Sequence, residues 1–457
     1  MSANSVEPPA PLLTSTPSAL KEKFKLFLLD VSQERLWFWG LRSGYSLLDQ
    51  GLVSGSSFFL NIVLARWLIK DAYGSFAVCF ASLLFLSGFH NVLLVEPMTV
   101  IGPSCYSDHL IEYFGSQLRV HMIIVVPLSV IVFTVGALLR FGAESLSRPV
   151  LSLGIALPFV LLLYLVRRMC YAVQNPLIAV QASGLYCFVL LAGVFYLGHL
   201  RDLTPSTSFL LMGAASLLPA LFVLWRLGFH YYVILGDFSS SLSGTLLENW
   251  DYGKWLVLTT MFSWLLVQAQ TFFAAFFLEL SAAGVLRAMQ IPSFFMSQLI
   301  AATMLLFLPS ISVELGRGNI SRLHKKTLLV AAVLLASGLM FVSLLYIFAV
   351  PIEQMLFHGK YASTAWLIPV LGLAPLFSGI AASLSLALRT LRKAKFELLS
   401  YVASATTAVL LAVSLMPHWG LTGAAISIVG GTATLALGVI FCYVKWGLNR
   451  QCAPREQ

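Results

Sequence analysis

The chain has 457 residues, of which 59% are hydrophobic and only 10% charged. A soluble domain carries roughly 25% charged residues, so this composition excludes an ordinary soluble globule and calls for a bilayer. The formal charge of +9 would suit nucleic acid, but the basic residues gather at the ends of apolar segments, which excludes that partner.

Apolar windows of about 20 residues recur along the chain. That length crosses roughly 30 Å of hydrocarbon, and lipid leaves no alternative to helices whose backbone groups are paired internally. Residues 1–42 begin as a Pro-, Ser- and Thr-rich tail, expected to be disordered. They continue as a basic and aromatic stretch (Lys21, Lys23, Lys25, Arg35; Phe24, Phe27, Trp37, Phe38) suited to a helix lying in the membrane interface. No secretory signal is read, because Leu26–Leu29 is too short an apolar run. Six spans are predicted in a first half, residues 43–229, at 44–66, 74–100, 118–140, 149–170, 176–198 and 206–229. A more polar stretch, 230–251, is expected to link it to a second half, 252–446. Its spans are predicted at 252–278, 283–309, 327–350, 363–388, 396–416 and 419–444, followed by a cytoplasmic tail, 447–457.

The two halves read as repeats offset by about 210 residues. Ala72 and Gly74 open the second span as Ala282 and Gly284 open the eighth, and Gly213-Ala214-Ala215 answers Gly423-Ala424-Ala425. An offset of six spans makes the repeats parallel, related by an axis along the membrane normal. The expected fold class is therefore an all-α membrane protein of about twelve transmembrane helices, in two parallel six-helix halves around a central cavity. With the N-terminus inside, 21 of the 28 Lys and Arg fall at inside segments and span ends. Six fall outside (Arg66, Lys70, Arg140, Arg148, Arg201 and Lys360), and Arg287 stands apart at depth. This bias predicts cytoplasmic N- and C-termini.

The loops predicted outside are short, which excludes a large external catalytic domain, and no phosphate-binding Walker loop is present for ATP hydrolysis. The six cysteines (Cys79, Cys105, Cys170, Cys187, Cys442 and Cys452) show no CxxC or Cys/His ligand spacing, so neither a disulfide framework nor a metal site is expected. No catalytic constellation and no cofactor is implied.

Ionisable groups at membrane depth carry the functional signal, because each is costly unless it faces a partner or a cavity. Asp49 lies about one and a half turns into the first span, either facing a cavity or pairing with Arg42 two turns back. Glu96 precedes Pro97, which favours a kink near the inner end of the second span; it reads either as a cavity carboxylate or as one reaching the interface. His90 sits deeper in that span, as a packing residue or a proton relay. Arg287, in the eighth span, offers a planar fork of donors matched to phosphate oxygens, or else snorkels to the outer interface. Gln268, Gln270, Gln290 and Asn61 are candidates to line a polar cavity, or to bond helix to helix.

Several stretches carry a family resemblance. They are Leu48-Asp49-Gln50-Gly51 to Leu64-Ala65-Arg66-Trp67, Tyr73-Gly74, Gly284-Val285-Leu286-Arg287-Ala288-Met289-Gln290-Ile291-Pro292 with Leu308-Pro309-Ser310, and Gly420-Leu421-Thr422-Gly423-Ala424-Ala425. With the two six-span halves, they resemble the multidrug/oligosaccharidyl-lipid/polysaccharide (MOP) exporter superfamily, over residues 40–446. Within it the chain is most similar to polysaccharide flippases of the Wzx type and to the related lipid II flippases. The resemblance implies a transporter, not an enzyme. It would carry a polyprenyl-diphosphate-linked oligosaccharide across the bacterial inner membrane by alternating access, for cell-surface or exopolysaccharide biosynthesis. The partners implied are that lipid-linked oligosaccharide, membrane lipids, and polysaccharide polymerase or glycosyltransferase machinery. Arg287 matches the neighbourhood of a cavity cation in flippase relatives, and Asp49 that of a functional acidic or polar residue. The chain departs from the lipid II flippase pattern in having only Arg287 away from the cytoplasmic span ends. The alternative within the superfamily is a proton- or sodium-coupled multidrug exporter using Asp49 and Glu96. A membrane polymerase or ligase would need a large outside loop that the chain lacks.

Overall fold

The computed structural model describes residues 44–228, 242–317, 319–391 and 393–448. The expected tail and interfacial helix of 1–42, most of the linker, and the end of the C-terminal tail lie outside the described residues. Among those described, all regular structure is helical. Helix α1 is Gly44–Trp67 and α2 is Lys70–Cys105. Then come α3 (Leu110–Leu138), α4 (Glu144–Ala172), α5 (Pro176–His199) and α6 (Pro205–Arg226). Helix α7 runs over Leu242–Val267, bends by 45° at Gln268, and continues as Ala269–Phe277. It is followed by α8 (Leu280–Gly316), α9 (Ile320–Phe357), α10 (Leu367–Thr390) and a long final segment, Ala394–Cys442.

That final segment is two spans. Gly420 adopts φ 55° and ψ −132°, a conformation that costs glycine little, and it reverses the chain. The Oγ of Ser404 donates to the Gly431 carbonyl at 2.8 Å, and Gly438 lies against Ser400. These pairs run antiparallel about the turn, so residues 394–419 form α11 and 421–442 form α12. Nine of the described helices are long and apolar enough to cross a membrane, and the bent α7 adds another. With α8 and the divided hairpin, the count reaches the expected twelve.

Most departures from the expected spans are extensions. Helix α8 continues to Gly316 and α9 begins at Ile320, where hydropathy places the ends at 309 and 327. Hydropathy registers only the apolar stretch, whereas a helix continues wherever its backbone bonds are satisfied. Residues 242–251, read as linker, are likewise the first turns of α7. Pro97 does not kink α2 sharply. The helix passes through a π-helical turn, Asn91–Val95, just before it, which accommodates the missing N–H and the bulk of the ring.

Each half packs on itself: α4 on α3 and α6, α5 on α6, then α10 on α8, α9 and the α11–α12 hairpin. The helices of the two halves begin in register, α2 at Lys70 and α8 at Leu280, α3 at Leu110 and α9 at Ile320, each pair 210 residues apart. Between the halves, α2 crosses α8. The crossing is made at Gly74 and Gly284, the pair the repeat aligns. A Cβ on Gly74 would stand 1.7 Å from the Leu280 carbonyl oxygen, and one on Gly284 would stand 2.6 Å from that of Lys70. Small residues allow two membrane helices to approach backbone to backbone. The crossing lies at the end of the molecule opposite the basic span ends. Lys360, between α9 and α10, adds a contact there from the second half by donating to the Ala65 and Leu68 carbonyls at the end of α1. Burial and the nearby Lys70 hold this ammonium below the usual lysine range.

Gly74→Ala is expected to force α2 and α8 apart, since overpacking of this kind costs about 1–3 kcal/mol. Gly184, on α5, has nothing within 4 Å of its would-be Cβ, so Gly184→Ala is expected to be neutral or mildly stabilising. Thermal unfolding of the two variants in detergent checks this contrast.

Candidate functional site

The polar residues singled out from sequence fall into separate places. Asp49 is 2% exposed and fully engaged. Its Oδ2 accepts from the Nη2 of Arg167 at 2.6 Å and from the hydroxyl of Tyr171 at 2.6 Å. Its Oδ1 accepts from the Nε of Arg167 at 3.2 Å and from the Oγ of Ser183. Arg167 and Tyr171 stand on α4 and Ser183 on α5, so this carboxylate ties the basic end of α1 to two neighbours. Arg42, the expected local partner, lies outside the described residues. Arg167 reads from sequence as a topogenic charge at a span end. Nothing in one sequence signals that it meets Asp49, 118 positions away.

Glu96 is half-buried at the basic end of α2. It lies where the charge of Arg389 on α10 acts on it; Arg389 itself holds Glu397 through two bonds of 2.6 Å. His90 is buried against His121 of α3, with 3.0 Å between His90 Nε2 and His121 Nδ1. Gln270 accepts from the Oγ of Ser427 on α12 at 2.8 Å, while its Nε2 has no partner.

Arg287 gathers the remaining candidates. It lies seven residues into α8, about 10 Å from the start of the helix, and is 3% exposed, so it does not snorkel to the surface. Its guanidinium lies over the ring of Phe80 on α2, 5.2 Å to the centroid, and over Phe294, one helical face further along α8, at 4.7 Å. Its Nη1 donates to Gln268 Oε1 at a long 3.4 Å, from the bend in α7. Its Nε is buried without a partner. Tyr73 lies within electrostatic reach and donates its hydroxyl to Asn61 Oδ1 at 3.4 Å; Asn61 is anchored in turn to the Ser57 carbonyl at 2.8 Å. Gln290 is half-buried one turn beyond Arg287. Helices α1, α2, α7 and α8 thus converge on one cation, at the junction of the two halves.

Among the described residues no carboxylate pairs with Arg287. An isolated buried charge costs several kcal/mol. A desolvated cation–π contact returns about 2 kcal/mol, and a neutral hydrogen bond about 1. The site is therefore left under-compensated, with donor capacity to spare. It suits an anion. The structure does not bring Asp49 and Glu96, each offered as a cavity carboxylate, to Arg287. Glu96 stands 16 residues beyond Phe80 along α2, about 24 Å, and Asp49 is at the same basic end.

Replacing Asp49 by Asn is expected to strand the Arg167 charge and to cost about 3–5 kcal/mol. The double variant Asp49→Asn/Arg167→Gln, with neither charge, is expected to recover a good part of that. Equal losses in the single and double variants, measured by thermal unfolding, would show that the ion pair contributes nothing beyond packing.

No protein-family model and no curated protein matches the sequence, but solved structures do. The chain superposes with a TM-score of 0.72 on an inward-facing multidrug resistance MATE family transporter of the MOP superfamily, at 12% identity over 88% of this chain and 96% of that one. With the lipid II flippase MurJ in an inward closed conformation, the TM-score is 0.71 at 14% identity, over 89% and 87%. A MOP superfamily transporter from Pyrococcus furiosus, described as having a binding pocket of reverse polarity, gives 0.56 at 15% identity, over 89% and 92%. This chain is a multi-pass α-helical membrane protein with the twelve-helix fold of the MOP superfamily transporters.

Proposed function

We propose that this protein is a transporter that carries a polyprenyl-diphosphate-linked oligosaccharide from the inner to the outer leaflet of a bacterial inner membrane, by alternating access between its two halves. The basic ends of the helices face the cytoplasm, and both termini lie there. The observation that carries the reading is the Arg287 guanidinium, buried between the halves, stacked on two aromatic rings and, among the described residues, without a carboxylate. A diphosphate matches this fork of donors and its charge. Gln268, Asn61, Tyr73 and Gln290 supply neutral polar groups suited to sugar hydroxyls. The fold shared with a lipid II flippase supports the same substrate class.

A second reading, a proton- or sodium-coupled multidrug exporter, is favoured by the likeness to multidrug MATE transporters. It requires a carboxylate free to bind cations. Asp49 is saturated by Arg167, Tyr171 and Ser183, Glu96 stands at the basic end in the field of Arg389 and away from the junction, and the unpaired buried charge at the junction is positive. The polarity of the site favours the first reading.

Arg287→Ala is expected to reduce translocation of a lipid-linked oligosaccharide in proteoliposomes by on the order of 100-fold or more. Two charge-assisted bonds at about 1.5–3 kcal/mol each are lost. Arg287→Lys keeps the charge without the fork and is expected to fall between the two. Unchanged translocation in a folded Arg287→Ala variant would reduce Arg287 to an anchor, and export of cationic dyes by the wild type would favour the second reading.

A further inference from the structure

The histidine pair in the first half takes no part in the site around Arg287, yet it is built into the contact between the halves. His90 closes the regular part of α2, immediately before the π turn Asn91–Val95. His121 stands on α3 one turn deeper than Gln117, on the same helix face. Both rings are buried, 4% and 0% exposed, and meet edge to face. Gln117 and Asn249 on α7 exchange amide hydrogen bonds of 3.1 and 2.9 Å, and Tyr113 accepts from Gln117 at 2.8 Å. The π turn touches α7 as well, where Gly253 is pressed against the Val92 carbonyl. The pair therefore lies directly behind the clasp that holds α7 to the first half at the basic end.

The protons of the pair follow from its surroundings. Beside His121, α4 offers the backbone carbonyl of Pro158, which can only accept. Neither outer nitrogen, His121 Nε2 or His90 Nδ1, has a hydrogen-bond partner; with the nearby carbonyl favouring the hydrogen on His121 Nε2, Nδ1 accepts from His90 Nε2–H and His90 Nδ1 carries a bare lone pair. Other charges nearby are committed elsewhere. On α7, Asp251 and Lys254 pair with each other at 2.8 Å and Glu248 accepts from Tyr106. On α3, Arg119 bonds Ser116, and on α4, Arg167 is held by Asp49. Glu96, six residues further along α2, lies in the field of Arg389, and among the described residues the charge-bearing group that acts on His90 is His121.

We propose that His90 and His121 form a proton-binding site of the transport cycle, in which one proton taken from hydronium onto His90 Nδ1 loosens the Gln117–Asn249 clasp and opens the basic end. The added proton places one unpaired positive charge behind the clasp, in a site with no carboxylate to receive it. The closed arrangement expels that proton, and an arrangement that admits water accepts it, so the two conformations exchange with proton uptake and release. This inference rests on reading the chain as an alternating-access transporter, but not on which substrate it carries.

The test is the distance between spin labels at Ser104→Cys on α2 and Arg322→Cys on α9, both exposed positions at the basic end. It is measured by double electron–electron resonance in nanodiscs, in a cysteine-free background, without substrate. The wild-type distribution is expected to shift toward longer distances between pH 8 and pH 4, a range that extends below the ordinary histidine value because the pair is buried. His90→Gln and His121→Gln, neutral at both values, are each expected to lose the shift and to keep the high-pH distribution. A wild type that does not respond, or a folded variant that responds as the wild type does, overturns the proposal. Either result leaves the assignment of Arg287 to an anion untouched, because no anion is present.

Discussion

The structure depends on one close crossing. Helices α2 and α8 approach so tightly at Gly74 and Gly284 that neither residue has room for a methyl group. The two glycines lie 210 residues apart, the spacing that also separates the starts of α2 and α8. Three residues beyond Gly284, Arg287 is carried under Phe80 of the opposite half. A cation that would be ruinous in lipid is thereby enclosed by aromatic faces and one amide. The close approach of α2 and α8 and the under-compensated positive site beside it belong to the same contact.

The remaining buried charges are placed where they hold the halves together internally. Asp49 binds α1 to α4 and α5, Arg389 binds α10 to α11 through Glu397, and Lys326 binds α9 to α8 through Glu314 at 2.7 Å. Each is an acid satisfied by a base on a neighbouring helix of the same half. Two buried charges among the described residues have no such base or acid: Glu353 on α9, whose Oε1 accepts from the Tyr361 backbone N–H at 2.7 Å while its Oε2 has no partner, and Arg287, which lies at the boundary. Functional polarity in such a fold is recognised by what is left unpaired, and membrane depth alone does not identify it.

Much of the fold is legible in the sequence because hydropathy and the positive-inside bias register the bilayer directly. The twelve spans, the offset of 210 and the pairing of Gly74 with Gly284 all rest on patterns within reach of a single chain. What stays hidden is tertiary. The bend of α7 at Gln268 has no proline or glycine to announce it. It places Gln268 against Arg287, and the helix keeps its packing on the α11–α12 hairpin across the bend while gaining α8 beyond it. The partners of Asp49 and His90, Arg167 and His121, look unremarkable along the chain, since one counts as a span-end charge and the other as a lone histidine.

The central claim is that the junction of the halves is an anion site. Binding of a short-chain polyprenyl diphosphate to the purified protein, compared with the same lipid as a free alcohol and with a cationic dye, tests it most directly by calorimetry in detergent. The account predicts that the diphosphate binds in a salt-sensitive manner that Arg287→Ala abolishes, and that the alcohol and the dye bind weakly or not at all. Preferential binding of the dye, or diphosphate binding indifferent to Arg287, would contradict it.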